Sequence, residues 1–192
     1  MLNFGDKKLI LSSNSPRRRE LLQLADIPFI VKCKDSEESF PEDMRASEVA
    51  EYIAVKKSAP WQGMIQENEI VLTADSIVIL EEKILGKPRD KKAAFEMLES
   101  LSGNIHKVIT GCCLTDSQHR TSFSESTEVQ FYPISKEEIE YYIDNYKPFD
   151  KAGAYGIQEW IGLSLIKEIR GSWSNVVGLP VHRVYDELKG FL

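Results

Sequence analysis

The sequence predicts an α/β protein built on a mixed β-sheet, and three observations support this fold class. Short apolar runs typical of buried strands alternate with stretches in which apolar residues recur every three or four positions, as in helices. The middle of the chain is rich in strand-like runs, which argues against a purely parallel sheet. No low-complexity tract, repeat or long linker interrupts the 192 residues, so a single domain over residues 1–192 is expected.

Strand-like and helical runs follow one another along the whole chain. The predicted strands are Lys8–Ser12, Phe29–Cys33, Ile70–Ala74, Ile77–Leu80, His106–Leu114, Thr127–Tyr132 and Leu163–Ile169. The predicted helices are Pro16–Ala25, Ser47–Ser58, Lys91–Leu101, Lys136–Asn145 and Pro180–Lys189.

Capping residues mark where three of these helices begin. Ser15 is the predicted N-cap of the first helix, with Pro16 at its first helical position. Asp90 is the predicted N-cap of the third helix, and Ser135 with Glu138 forms a capping box for the fourth.

Composition excludes several classes of function. The formal net charge of −6 argues against broad nucleic-acid binding, although it leaves room for a local basic pocket. No stretch approaches the roughly 20 apolar residues that span a bilayer, and the start lacks a signal-peptide pattern, so no membrane partner is expected. Of three cysteines, Cys112 and Cys113 are predicted as small core residues, which fits a reducing cytoplasm. The three histidines lack the spacing of a zinc site.

A polar segment with three consecutive arginines follows the first predicted strand. Arg17, Arg18 and Arg19 fall in the first turn of the predicted helix, where each cation is disfavoured by roughly 0.3–1 kcal/mol. A bound phosphate would remove the conflict, because free N–H groups and the helix dipole already favour an anion there. The alternative is that the arginines point into water and pair with surface acids such as Glu20.

A second polar segment, Asp150–Gln158, combines two glycines with charged and amide side chains. Gly153 and Gly156 allow positive φ or a close approach of the backbone to a ligand. A simple turn requires such glycines, but it does not require the flanking Lys151 and Gln158. The segment is therefore interpreted either as a turn or as a loop shaped around a ligand.

These two segments and five other motifs resemble, in their order along the chain, the Maf family of nucleoside triphosphate pyrophosphatases. The motifs are Ser13-x-Ser15-Pro16-Arg17-Arg18, Ile53-Ala54-x-x-Lys57, Ala74-Asp75-Ser76-Ile77-Val78, Gly86-Lys87-Pro88, Leu101-Ser102-Gly103-x-x-His106-x-Val108-x-Thr110-Gly111, Asp150-Lys151-Ala152-Gly153-Ala154-Tyr155-Gly156-Ile157-Gln158 and Gly171-Ser172-x-x-x-Val176-Val177-Gly178-Leu179-Pro180. They cover almost the whole chain.

The resemblance implies a fold and an activity. The fold would be an elongated mixed sheet flanked by helices, with an active-site cleft between two lobes. The activity would be hydrolysis of a nucleoside triphosphate between its α and β phosphates, and the form of Asp150–Gln158 resembles the branch that acts on dTTP, UTP and their modified relatives. Such an enzyme would clear unwanted nucleotides. The partner expected is this nucleotide, and a homodimer stays open.

Asp75 is the candidate catalytic residue. It follows the apolar run Ile70–Ala74, and because strand-like sequence continues after it, Asp75 does not have the context of a helix cap. The resemblance implies that Asp75 is the general base and, with Glu38, a ligand of a divalent cation, Mg²⁺ or Mn²⁺. From composition alone, Glu37 and Glu38 would be solvated residues of an acidic loop.

The remaining site residues are expected to bind the substrate. The resemblance implies Ser13, Arg17, Arg18, Lys57, Ser76, Lys87 and Gln158. A triphosphate needs its charges held and neutralised, which suits the arginines and lysines. Without the resemblance, Lys57 would be a helix-end cation, a position that Lys56 fills equally well, and Lys87 an ordinary surface lysine. Lys151 is a further candidate without an assigned role. Gln158 is expected to read the base, with Ser76 and Arg17 near it.

Three positions depart from the family pattern; the first departure is mild, and the other two concern selectivity more than the reaction. Ser76 stands where threonine is usual, Lys147 stands where an acid is common, and Glu159-Trp160 stand where glycine is common. Two alternative functions also stay open. One is a non-enzymatic regulator of septum formation in cell division, and the other is a phosphatase that releases orthophosphate.

Overall fold

A computed structural model describes residues 2–192, which divide into two compact units. The first contains the chain up to Ser76 together with Thr110–Glu125 and Gly178–Leu192. The second contains Ile77–Ile109 and Ser126–Val177. None of the helices in the described residues is both long enough and apolar enough to cross a membrane.

The strands form one seven-stranded mixed sheet, which confirms the predicted fold class. The strands are β1 (Lys8–Leu11), β2 (Ile30–Val31), β3 (Glu69–Leu80), β4 (Lys83–Leu85), β5 (Ile105–Thr115), β6 (Arg120–Phe131) and β7 (Ile166–Arg170). Their order is β2-β1-β3-β5-β6-β7, with β4 paired to β3. β1 is parallel to β2 and β3, whereas the β3–β4 and β6–β7 pairs are antiparallel.

Seven α-helices and three short 3₁₀ turns connect the described strands. The helices are α1 (Pro16–Leu24), α2 (Ala46–Ser58), α3 (Lys91–Leu101), α4 (Lys136–Tyr146), α5 (Trp160–Leu165), α6 (Trp173–Val177) and α7 (Val181–Leu188). The 3₁₀ turns are Ala59–Trp61, Pro148–Asp150 and Ala152–Ala154.

In the first unit, α2 packs closely against the sheet. A Cβ atom at Gly111 of β5 would lie only 2.2 Å from the backbone nitrogen of Glu51, so only glycine fits there. The buried hydroxyl of Thr73 on β3 donates to the Ala54 carbonyl of α2 at 2.7 Å. These contacts fix the middle of α2 next to β3 and β5.

In the second unit, the loop that follows α4 is held in place by buried contacts. Gly153 has φ of +68° and its N–H donates to the Gly86 carbonyl at 3.1 Å. A Cβ atom at Gly153 would approach Val78 of β3 to 3.0 Å. Both the positive φ and the close contact favour glycine at this position. The Asp150–Gln158 segment is therefore tied to the turn that carries Lys87.

The predicted helix termini are largely observed. The Asp90 side chain accepts from the Ala93 N–H at 2.7 Å, and the capping box of Ser135 and Glu138 is present. Ser15 is the N-cap residue of α1 and Pro16 its first helical residue, but the Ser15 side chain makes no capping hydrogen bond.

The strand predictions differ from the structure in several places. β2 covers only Ile30–Val31 of the predicted Phe29–Cys33, and β4 was not predicted. Ile70–Ala74 and Ile77–Leu80 are parts of a single strand, β3, so Asp75 and Ser76 lie within it. β6 begins at Arg120 rather than Thr127, because its first half alternates in burial with polar side chains and lacks the apolar content of a typical strand. The predicted strand Leu163–Ile169 instead contains the end of α5 and most of β7, because the Leu163 N–H bonds to the Glu159 carbonyl and continues a helical turn.

Candidate active site

Asp75 lies in the middle of β3, just before Ser76, where the first of the three chain segments of the first unit ends. Its neighbours Thr73 and Ala74 are buried, whereas the Asp75 side chain is 16% exposed. Its Oδ1 atom accepts from Lys57 Nζ at 2.8 Å, and its Oδ2 atom has no hydrogen bond to the described residues. The central strand thus holds one carboxylate oxygen rigidly and leaves the other available.

Lys57 links two of the predicted metal-binding carboxylates. Its Nζ atom lies 2.8 Å from Asp75 Oδ1 and 2.8 Å from Glu38 Oε1. The ammonium group is 17% exposed and the Glu38 side chain 58% exposed, so the cluster borders solvent. The structure therefore brings Asp75, Glu38 and Lys57 together, although they come from a strand, a loop and a helix.

The neighbouring lysines Lys56 and Lys57 make different contacts in the structure, although the sequence alone did not distinguish them. Lys56 Nζ donates to Ser39 Oγ at 2.8 Å and lies 3.3 Å from Glu37 Oε2. Those contacts fix the acidic loop on the outside of α2. Lys57, one residue later on the helix, faces Asp75 on the sheet. In the same way, Glu37 pairs with Lys56 and Glu38 pairs with Lys57.

Arg18 is buried, with 9% exposure, and its guanidinium bonds to four protein oxygens. Nε donates to the Gly178 carbonyl at 2.8 Å, and NH1 donates to the Ala74 carbonyl at 2.8 Å and to Ser13 Oγ at 3.2 Å. NH2 donates to Ser76 Oγ at 3.2 Å. Burial lowers the pKa of Arg18, and the Asp75 carboxylate opposes that shift.

The environment of Arg18 corrects part of the argument from the helix dipole. A bound anion was expected to compensate the arginines in the first turn of α1, yet carbonyl and hydroxyl oxygens of the protein already compensate Arg18. Its contacts with Ala74 and Ser76 bracket Asp75 on both sides. Arg17 and Arg19, the other two arginines of this turn, are partly exposed.

Ser13 and Ser76 both belong to this cluster. Ser13 is 8% exposed, and its Oγ accepts from the Ser15 N–H at 3.2 Å as well as from Arg18. Ser76 Oγ lies 2.9 Å from Thr110 Oγ1 and 3.4 Å from the Gly178 carbonyl. Thr110 is buried and was not predicted as a site residue, although it lies in one of the family motifs.

Lys87 lies in the second unit, in the turn after β4. Its side chain is exposed and makes neither a hydrogen bond nor an ion pair with the described residues. The neighbouring Gly86 carbonyl accepts from Gly153, so the turn is anchored while the lysine side chain stays in solvent. A lysine held in this way is available to an anionic ligand.

Lys151 is buried among polar groups of the second unit. Its Nζ lies 2.8 Å from Asp150 Oδ1 and 3.2 Å from Glu159 Oε1. The other oxygen of Glu159 accepts from the Tyr142 hydroxyl, which in turn accepts from the Gly156 N–H at 3.0 Å. Tyr142 and Glu159 were not predicted to share a network, although the departure from the family pattern at Glu159 was a signal.

Gln158 lies within this segment and presents an unsatisfied acceptor. Its Oε1 atom is buried and has no hydrogen-bond partner among the described residues. Leaving a buried amide oxygen unpaired costs roughly 1–3 kcal/mol. Such an atom inside a polar motif is a candidate for binding a ligand N–H group.

His106 belongs to the buried core behind the segment. Its Nε2 atom lies 2.7 Å from the Tyr155 hydroxyl, and its ring stacks on Phe131. Burial lowers the pKa of His106 to about 4, so the ring is neutral near neutral pH. This arrangement supports the fold of the segment, and the second ring nitrogen, Nδ1, is buried without a hydrogen-bond partner among the described residues.

The chemistry of Asp75 and Glu38 fits a hard divalent cation. Both supply carboxylate oxygens, and a single ammonium group contacts both, so at most twice the 2.8 Å contact separates those oxygens. Among residues 2–192 there is no cluster of three or more His, Cys, Asp or Glu side chains suited to a metal. A two-carboxylate set is typical of Mg²⁺ sites completed by substrate phosphates.

The fold is that of a known class of proteins. The structure resembles that of the Staphylococcus aureus Ham1 protein, with a TM-score of 0.55 at 15% sequence identity, over 97% of this chain and 100% of that one. At this identity the likeness shows the fold alone.

Sequence comparison identifies the family. Residues 8–191 match the Maf-like protein family, to which this chain belongs. It is 50% identical over 188 residues to the dTTP/UTP pyrophosphatase of Phocaeicola vulgatus, covering 97% of both chains. It is 46% identical over 188 residues to that of Bacteroides thetaiotaomicron, again covering 97% of both. With the enzyme of Flavobacterium psychrophilum the identity is 46% over 182 residues, covering 95% of this chain and 93% of the relative. The resemblance stated from the motifs is confirmed.

Proposed function

We propose that this chain is a nucleoside triphosphate pyrophosphatase that hydrolyses dTTP and UTP between the α and β phosphates. The products are the nucleoside monophosphate and pyrophosphate, and the enzyme would remove such nucleotides and their modified relatives from the nucleotide pool. Relatives at 46–50% identity over nearly the full length carry the name dTTP/UTP pyrophosphatase. The observation that carries the proposal is the contact of Lys57 with both Asp75 and Glu38.

In this proposal Asp75 is the general base. One of its oxygens is fixed by Lys57, and the other accepts a proton from an attacking water molecule. The water oxygen then forms a bond to phosphorus, and the bridging P–O bond between the α and β phosphates breaks. Pyrophosphate leaves with the electron pair of that bond. The position of Asp75 inside a central strand limits movement of the base.

Cations and helix α1 hold the triphosphate. Arg17, Lys57 and Lys87 supply positive charge, and α1 contributes N–H groups that its N-cap side chain does not use. Arg18 directs most of its donors to the protein, positions Ser13 and Ser76, and has one NH2 donor left for an anion. These groups meet the main requirement of phosphoryl chemistry, which is to neutralise developing charge.

Glu38 and Asp75 would hold a divalent cation, Mg²⁺ or Mn²⁺. When bound, the cation neutralises phosphate charge and orients the triphosphate. Lys57 now contacts the two oxygens that would bind it, so the ammonium group and the cation compete for the same carboxylates unless Lys57 turns towards the phosphates.

Gln158 would recognise the pyrimidine base. Its buried, unpaired Oε1 can accept the N3–H of uracil or thymine, while the amide nitrogen donates to a neighbouring carbonyl of the base. Cytosine has no hydrogen at N3, so the acceptor would remain unpaired. A mispaired group of this kind costs roughly 1–3 kcal/mol, so we expect kcat/KM for CTP to be about ten- to a hundredfold lower than for UTP.

A product assay with UTP and Mg²⁺ tests the proposal. Pyrophosphate and UMP in equal amounts are expected. Release of orthophosphate would instead indicate a phosphatase, and binding of UTP without turnover would indicate a regulatory protein. The inactive control is Asp75→Asn, which keeps the shape of the site and removes the basic oxygen.

A further inference from the structure

Both oxygens of the Glu159 carboxylate contact other side chains of the second unit. Its Oε1 lies 3.2 Å from Lys151 Nζ, and its Oε2 accepts from the hydroxyl of Tyr142. The Glu159 side chain is 20% exposed, and Lys151 only 9%. Because both carboxylate oxygens are engaged by protein groups, the arrangement favours a structural connection over direct contact with a ligand.

The Tyr142 hydroxyl donates one hydrogen bond and accepts another. Burial and the neighbouring Glu159 raise the pKa of Tyr142, so its hydroxyl stays protonated and donates to the carboxylate. The same hydroxyl oxygen accepts the Gly156 N–H at 3.0 Å. A chain of donors therefore runs from the backbone at Gly156 through Tyr142 to Glu159, and such chains reinforce each other in a buried site.

Glu159 also closes the turn that contains Gln158. The Glu159 N–H donates to the Gly156 carbonyl at 3.0 Å, so residues 156–159 form a four-residue turn with Gln158 at its third position. A Cβ atom at Gly156 would lie 2.9 Å from the Glu159 carboxyl carbon, so the carboxylate packs directly against that glycine. Glu159, at one end of the turn, thus contacts Gly156 at the other end through both its backbone N–H and its side chain.

We infer that Glu159 is a positioning residue that fixes the turn of Gln158 and thereby sets the selectivity for uracil and thymine over cytosine. This inference rests on the proposed function, because it concerns the discrimination made at Gln158. A glutamine amide that rotates can present its NH₂ group where cytosine offers a lone pair. Selectivity therefore requires the amide to be held in one orientation, and the Gln158 Oε1 atom is already shielded from solvent.

The test measures kcat/KM for UTP and for CTP in Glu159→Ala. We expect the UTP-to-CTP ratio to fall about tenfold, through slower UTP and faster CTP hydrolysis, since the amide gains a second orientation. Tyr142→Phe removes the other end of the hydrogen-bond chain and should lower the ratio in the same direction. The double variant should show no further fall, because both changes release the same turn.

Two controls separate this effect from general instability. Ile139→Val alters a buried residue of the same helix as Tyr142 without touching the network, so its ratio should equal that of the wild type while its melting temperature falls. Glu159→Gln retains an oxygen for the Tyr142 hydroxyl and should recover at least half of the lost selectivity.

The outcomes distinguish this inference from the proposed function. If the wild type releases no pyrophosphate from UTP, the proposed function fails. If the wild type is active and Glu159→Ala has the ratio of the Ile139→Val control, the inference alone is overturned. Should Glu159→Ala fail to fold, Tyr142→Phe decides the question, and an unchanged ratio there overturns the inference.

Discussion

Each unit of this protein places a lysine between two carboxylates, and the two clusters differ in how many oxygens of the more buried carboxylate are engaged. In the first unit, Lys57 contacts Asp75 and Glu38, whose side chains are 16% and 58% exposed. In the second, Lys151 contacts Asp150 and Glu159, whose side chains are 58% and 20% exposed. Asp75 Oδ2 has no hydrogen bond to the described residues, whereas both oxygens of Glu159 are engaged, so the first cluster can offer an oxygen to a ligand and the second connects parts of the fold.

The largest expected effect concerns the buried polar groups of the second unit. His106 has its pKa lowered to about 4 from 6.5, so protonation favours the unfolded chain between these values. The contribution of the neutral His106 ring to the free energy of unfolding is fully present above pH 6.5. It is lost as the pH falls towards 4, by about 3 kcal/mol in total.

Urea unfolding of the wild type and of His106→Gln measures this effect. Between about pH 7 and about pH 5 the wild type should lose roughly 2 kcal/mol more than the variant. His119→Gln is the matched control, since the side chain of His119 is 79% exposed, and it should behave as the wild type does. Equal losses in His106→Gln and the wild type would contradict the prediction that buried His106 causes this pH dependence.

In the first unit, replacing Asp75 is expected to affect turnover. Asp75→Asn keeps the volume of the side chain but removes the charge and most of the basicity. We expect kcat to fall at least ~100-fold, the lower end of general-base contributions. The melting temperature should change little, because the side chain is at the edge of solvent. Near-normal pyrophosphate release by the folded variant would exclude Asp75 as the base.

The sequence predicted much of this first cluster because its residues lie in recognisable contexts. Asp75 interrupts an apolar strand, whereas Lys57 and Glu38 were implied only by the resemblance to the family. The sequence could not show that Arg18 turns towards the carbonyls of Ala74 and Gly178, because those contacts join distant parts of the chain.

The second cluster was harder to predict for the same physical reason. Tyr142 occupies an apolar position of α4, and only the fold brings its hydroxyl to Gly156 and Glu159. α5 was also missed, since a short apolar stretch does not distinguish a helical turn from a strand. The capped helices α3 and α4 were predicted almost to the residue, because their end signals are local.

Replacing the two lysines tests the comparison directly. Lys151→Met leaves Glu159 without its cation in a largely buried site, and we expect a loss of about 2 kcal/mol in the free energy of unfolding. Lys57→Met should lose less than about 1 kcal/mol, because Asp75 still lies near the Arg18 guanidinium and Glu38 is well solvated. The same Lys57 variant should lower kcat/KM for UTP about tenfold or more, because it removes charge from the phosphate site. Urea unfolding and pyrophosphate assays on both variants check these values, and equal stability losses would break the comparison.

The smallest effect is expected at the acidic loop, where neighbouring glutamates face different lysines. Glu38→Gln removes one of two proposed metal ligands, so the Mg²⁺ concentration for half-maximal rate should rise about tenfold. Glu37→Gln is the matched control, since Glu37 pairs with Lys56 on the outside of α2, and it should leave that concentration unchanged. Manganese binding to the protein without nucleotide, followed by electron paramagnetic resonance, gives a second measurement that does not depend on turnover. Identical metal dependence in the two variants would show that the loop acts only through its overall charge, and Glu38 would then lose its place as a ligand.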